Sequence, residues 1–138
     1  MRLAGPEGDE RRQFLAGEPL GLRVRVEAAR PLPAPRLSWE LRDESGLLLA
    51  GGIQDLGELA WAPSGSSLRF DVPELPLADG RFRLRLGLTD AAGEHLYHQL
   101  DDAATFVVYP AGDERGVVRV EGRWSREEIA APAEIGRP

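Results

Sequence analysis

The side chains of this sequence best suited to proton transfer or metal binding are two histidines, His95 and His98. On a strand, residues at that spacing point to opposite faces, which is poor geometry for a single ion. Cysteine is absent, so a zinc site would have to be completed by carboxylates, and no metal site is expected. The serines available for nucleophilic chemistry (Ser38, Ser45, Ser64, Ser66, Ser67, Ser125) fall in turns or on strand surfaces, and none lies in a nucleophile-elbow context. Asp101 and Asp102 form an adjacent carboxylate pair near a potential groove. They allow a glycosidase pair in principle, but adjacent aspartates between strands read more readily as turn caps. Lysine is also absent, since all 17 basic residues are arginine. A phosphate-binding P-loop, Schiff-base chemistry and a Ser–Lys dyad are thereby excluded. The sequence therefore reads as a protein that is not an enzyme and needs no cofactor.

Binding chemistry is better represented. Arg81, Arg83 and Arg85 alternate with Phe82, Leu84, Leu86 and Leu88, so a strand here sends its arginines to one face and its apolar residues to the other. Ser38, Glu40 and Arg42 alternate in the same way with Leu37, Trp39 and Leu41. The polar stripes either solvate a sheet face or form a recognition surface, since the arginine fork grips hydroxyl-rich or phosphorylated ligands with two prongs. Trp39 takes the core phase. Trp61 falls in a loop, where it either stacks on a ligand or plugs the end of the fold. Trp124 follows the last strand and either packs back or serves an interface. Ser38, Glu40, Arg42, Trp61, Arg83, Arg85, Tyr97 and His98 are the candidate ligand-binding residues.

The elements that position them are short strands punctuated by proline and glycine. Alternation of period two marks residues 19–28, 36–43, 47–53, 67–72, 81–89, 96–100 and 105–109, and the segment that starts at Gly116 and ends at Glu121. Leu68, Phe70 and Val72 take the buried phase of their strand. Asp43-Glu44-Ser45-Gly46 and Asp90-Ala91-Ala92-Gly93 read as hairpin turns. Residues 54–66 read as a long loop with a turn near Asp55, and 125–130 as one weakly capped helical turn. About eight strands with turns roughly every ten residues imply an all-β, antiparallel, immunoglobulin-like sandwich. A single domain over 1–138 is expected, with 1–13 as a leader or edge segment and 125–138 as a flexible tail.

The net charge of −6 and the interspersed signs argue against nucleic-acid binding, which needs a clustered basic footprint. No apolar run reaches the roughly 20 residues of a membrane helix. The first 14 residues lack the hydrophobic centre of a secretory signal, so a soluble chain without an export address is expected.

The segments also have a recognisable succession. Phe14-Leu15-Ala16-Gly17-Glu18-Pro19-Leu20 enters the first long strand. Pro35-Arg36-Leu37-Ser38-Trp39-Glu40-Leu41-Arg42-Asp43 follows, with Gly46 behind it. Pro73-Glu74-Leu75-Pro76-Leu77-Ala78-Asp79-Gly80-Arg81-Phe82 leads into the longest alternation. Thr89-Asp90 with Gly93, residues 101–108, and Gly116-Val117-Val118-Arg119-Val120 with Trp124 complete it. In this order and spacing the chain resembles the C-terminal carbohydrate-binding domain of Wzt-type ATP-binding proteins, from ABC transporters that export O-antigen and related polysaccharides.

The resemblance implies an immunoglobulin-like sandwich that recognises a finished polysaccharide on the cytoplasmic side, at the inner face of the plasma membrane, before export. It also implies a homodimer, compatible with strand exchange through the segment from Gly116 to Glu121, and ATPase and permease partners. The family's ATPase half is not part of this sequence. Where many relatives carry a Thr/Asn-rich end to the second hairpin, this chain has Gly51-Gly52-Ile53. The other reading is an immunoglobulin-like structural or dimerisation module that binds no glycan.

Overall fold

The computed structural model describes residues 2–5 and 10–127. Among these described residues eight strands are formed: β1 (Arg2–Ala4), β2 (Gln13–Leu15), β3 (Leu20–Glu27), β4 (Arg36–Asp43), β5 (Leu48–Asp55), β6 (Gly65–Val72), β7 (Gly80–Thr89) and β8 (Leu96–Tyr109). They make two sheets, ordered β1-β3-β6 and β2-β8-β7-β4-β5. The short β2 runs parallel to β8, and the other pairings are antiparallel.

The alternation of β7 decides which side faces in. Phe82, Leu84 and Leu86 are buried, and they join Leu20 and Leu22 of β3, Phe14 of β2, and Ala104, Phe106 and Val108 of β8 in one core. Phe82 and Phe14 both pack on Phe106, with ring centroids 5.5 and 5.9 Å away. Leu75 and Leu77, between β6 and β7, close the core from the side.

Two hairpin turns use the same device. Asp43 Oδ1 accepts hydrogen bonds from the Ser45 N–H at 2.9 Å, the Ser45 hydroxyl at 2.6 Å and the Leu47 N–H at 2.9 Å. Gly46 supplies the left-handed residue at φ 92°. Between β7 and β8, Asp90 Oδ1 accepts from the Glu94 and His95 N–H groups at 2.9 and 3.3 Å, and Gly93 takes φ 73°. These donors hold both carboxyls below their ordinary 3.8; the Ser45 hydroxyl is the largest cause at Asp43 and the Glu94 N–H at Asp90.

Several expectations need correction. Residues 96–100 and 105–109 belong to one continuous strand, because Asp101 and Asp102 occupy a bulge within β8 and do not cap a turn. The expected strand from Gly116 to Glu121 is reduced to a bridge between Leu77 and Val118. Two backbone bonds flank that bridge, from the Ala78 N–H to the Val117 carbonyl and from the Arg119 N–H to the Pro76 carbonyl, both 2.8 Å. The ladder stops there because Pro76 has no N–H, and Leu75 already bonds Gly17 and Glu18 with its carbonyl and N–H.

The long loop shrinks to residues 60–64. Strand β5 runs to Asp55, whose side chain caps a 3-10 turn over Leu56–Leu59, and β6 begins at Gly65. Phe70 holds the inward phase opposite Leu22, yet it is 46% exposed because β6 is an edge strand beside an open cleft. Residues 125–127 carry no regular structure; the rest of the expected helical turn and tail lies outside the described residues.

Two predictions follow from this packing. Phe82→Ala removes a ring that is 1% exposed and should cost about 3–5 kcal/mol, whereas Phe70→Ala should cost roughly half of that or less, both read by urea unfolding. A carboxyl whose folded pKa is lowered contributes stability above its ordinary value and loses that contribution as pH falls through the folded value. The stability gap between the wild type and Asp43→Ala should therefore be full above pH 3.8 and close progressively in more acidic solution.

Candidate functional site

The outward face of the five-stranded sheet carries a trough of about 410 Å³, with Ser38, Glu40, Gly51, Ile53, Arg85 and Gln99 among its lining residues. Cross-strand register builds it. Ser38 stands opposite Ile53 on β5 and Gly87 on β7, Glu40 stands opposite Gly51 and Arg85, and Gly87 is paired in turn with Gln99 on β8. Glycines in strand interiors are unusual and mark places where something approaches the backbone closely. Here Gly51 and Gly87, on either side of β4, add no side chain to the floor of the trough, and the Ser38 hydroxyl lies over Gly87, 3.4 Å from its carbonyl oxygen. A Cβ at Gly87 would stand 2.7 Å from the Ser38 hydroxyl.

Charged side chains frame the floor as one connected network. Glu40 accepts from Arg42 Nη2 with both oxygens at 3.1 Å and from Arg85 Nη1 at 3.4 Å. Arg85 Nε also lies 3.4 Å from Asp101 Oδ1, an ion-pair contact without hydrogen-bond geometry. Asp101 Oδ1 accepts from Gln99 Nε2 at 2.8 Å. Arg42 is fixed from its other side by the Gly46 carbonyl at 2.8 Å. Further along β7, Arg83 Nη1 stands 3.7 Å from Asp102 Oδ1.

The bulge in β8 makes this possible. Between the Leu84–Ala104 and Leu86–Leu100 pairs, β7 spends one residue, Arg85, while β8 spends residues 101–103. Two consecutive aspartates thus both reach arginines of the same face, which strict alternation forbids.

Five of the candidate residues come together here. Ser38, Glu40 and Arg85 line the trough, Arg42 braces Glu40, and Arg83 follows on the same strand phase. The other three do not join them. Trp61 donates its indole N–H to the Leu32 carbonyl at 3.0 Å and ties two loops together at one end of the sandwich. His98 pairs with Leu88 and so takes the opposite phase to Gln99. Tyr97 sits at the start of β8, exposed, with its ring 5.4 Å from that of His95. Gly51, Ile53, Gly87 and Gln99 were missed; the signal that could have found them was a glycine at the outward phase of two strand interiors.

Among the described residues no group of three or more His, Cys, Asp and Glu is arranged to hold a metal ion. No helix among them is long and apolar enough to cross a membrane.

Fold and face together define a β-sandwich domain with a polar surface trough on its larger sheet. The family model of the Wzt C-terminal domain matches residues 1–120, and the chain belongs to that family. A crystal structure of the C-terminal domain of Wzt shares its fold, with a TM-score of 0.74 over 91% of this chain and 80% of that one, at 12% identity. No curated protein sequence matches the chain.

Proposed function

We propose that this chain is a non-catalytic carbohydrate-binding domain that recognises a cell-surface, O-antigen-like polysaccharide for export by an ABC transporter, and that the trough holds the glycan. The observation that carries this reading is a trough floor to which Gly51 and Gly87 add no side chain, set between polar groups already held by ion pairs and hydrogen bonds. A sugar ring presents hydroxyls around its rim and C–H groups on its faces. Glu40, Arg85, Gln99 and Ser38 offer acceptors and donors to the rim, and the exposed Ile53 offers an apolar contact to a face. Arg42 Nε and Arg85 Nε are shielded from solvent without a hydrogen-bond acceptor among the described residues. Family membership supports the setting, with the domain on the cytoplasmic side of the membrane beside the transporter's ATP-binding and permease components.

The same reading includes a homodimer in which the chain beyond Gly116 reaches a second copy. Val118, Val120 and Trp124 are 60, 86 and 100% exposed, an apolar series that the chain's own sheets leave uncovered. This series also favours the second reading, a dimerisation module without glycan binding.

Affinity electrophoresis through gels containing the surface polysaccharide of the source cell tests the first part. The wild type should be retarded, and Glu40→Ala combined with Gln99→Ala should lose about tenfold or more in affinity while keeping its far-UV spectrum. Folded wild-type protein that runs unretarded while remaining dimeric would leave the dimerisation module as the function. For the dimer, sedimentation velocity should show Val120→Asp with Trp124→Ala as a monomer and the wild type as a dimer; a monomeric wild type rejects the association.

A further inference from the structure

A second cavity, of about 430 Å³, lies on the same sheet face toward β2, lined among others by Arg12, Gln13, Glu44, Arg81, Arg83 and Thr105. Its charge differs from that of the trough. Arg42 and Arg85 each meet a carboxylate there, and on the smaller sheet Arg25 and Arg69 find Glu27 and Asp71 at 2.6 and 3.2 Å. In this cavity the residues that β8 sets opposite Arg81 and Arg83 are Val107 and Thr105, which carry no charge.

Among the described residues Arg81 makes no ion pair or hydrogen bond through its side chain, and Arg12 makes only a 3.5 Å contact from Nη1 to the Thr105 carbonyl. Arg83 is held in place by the Glu44 carbonyl at 3.1 Å, and its carboxylate neighbour Asp102 stands off at 3.7 Å. Glu44 is the one acidic residue among the described residues of the lining. Three guanidinium groups thus gather around one concavity, and among the described residues two of them, Arg12 and Arg81, meet no carboxylate.

We propose that this cavity is an anion subsite that takes a single oxyanion group, a carboxylate or a phosphate, carried by the ligand. Planar guanidinium forks match the oxygens of either group, and the Gln13 amide and Thr105 hydroxyl add neutral partners at the rim. Arg83 in the cavity and Arg85 in the trough are about 7 Å apart along β7, the reach of neighbouring substituents on one oligosaccharide. The inference rests on the glycan reading of the trough and deepens it: the recognised polysaccharide is acidic, and its charged substituent is read toward the β2 side of the face while its hydroxyls are read in the trough.

The test is a backbone amide NMR titration of the whole chain, at constant ionic strength, with glucuronate, inorganic phosphate and glucose in separate arms. Saturable shifts at Arg81, Arg83 and Thr105 are expected with glucuronate or phosphate and not with glucose, and the responding arm identifies the oxyanion. Arg81→Gln, an exposed substitution on the outward phase of β7, should weaken that binding about tenfold, the size of one lost charge-assisted hydrogen bond. No saturable shift with either anion, or equal shifts in Arg81→Gln, would overturn the subsite. Polysaccharide retardation of the wild type in the gel experiment is a separate readout, so failure of the subsite and failure of the glycan reading are told apart.

Discussion

Everything in this domain depends on the register of β7. It lies between β4 and β8 in the larger sheet, with Phe82, Leu84 and Leu86 in the core and Arg81, Arg83 and Arg85 on the opposite face. A slip of one residue would exchange the two sets and drive three guanidinium groups into an apolar interior, at a cost far above any gain in backbone pairing. The neighbouring hairpins hold that register. Asp43 and Asp90 each gather the amides of their turn, so β4–β5 and β7–β8 leave their turns in one alignment. The same register that buries the phenylalanines therefore also sets the polar residues of β4 across from the arginines of β7.

The outward network is not a source of stability. Its side chains are 29–68% exposed, and ion pairs at such sites contribute little because water and salt screen them. Their effect is on orientation. Glu40 is shared by Arg42 and Arg85, and Asp101 by Arg85 and Gln99, so each group presents a fixed edge to whatever lies in the trough. Side chains ordered before binding do not lose rotamer freedom when a ligand arrives, and for weakly apolar ligands such as sugars that saving is a large part of the affinity.

The strands and one face of the site were legible because alternation is a local property. Ser38, Glu40, Arg42, Arg83 and Arg85 could be assigned to one side from strand phase alone, and the register of β4 on β7 brings them together. What escaped was non-local or broke the period. The β8 bulge places two charged residues side by side in a strand, a pattern that imitates a turn. The bridge at Leu77 stays short because Leu75 is engaged by Gly17 and Glu18, residues far away in sequence. Phe70 looks buried from its phase, and only the position of β6 at a sheet edge exposes it. The loop position of Trp61 fits a stacking platform and a plug equally, and its bond to Leu32 depends on a loop that alternation says nothing about. Gln99 and the two glycines carry no charge or aromatic ring to draw attention, so the floor of the trough appears only once three strands are aligned.

A larger opening than either surface cavity is a cleft of about 660 Å³ between the sheets, with Trp39, Leu59, Leu68 and Phe70 along its walls. Size alone would make it the default binding site. Its chemistry argues otherwise for a glycan. A sugar drawn into that cleft would lose water from each hydroxyl and find leucine, valine and phenylalanine side chains in exchange, and an unpaired buried hydroxyl costs roughly 1–3 kcal/mol. The trough is smaller, but it replaces those waters with oriented carboxylate, guanidinium and amide groups, while Leu48, Ile53 and Trp39 supply its apolar contacts beside glycine backbone. For a polar polymer, matched hydrogen bonding at the surface outweighs enclosed volume, which favours the proposed placement of the glycan on the outer face of the five-stranded sheet over the inter-sheet cleft.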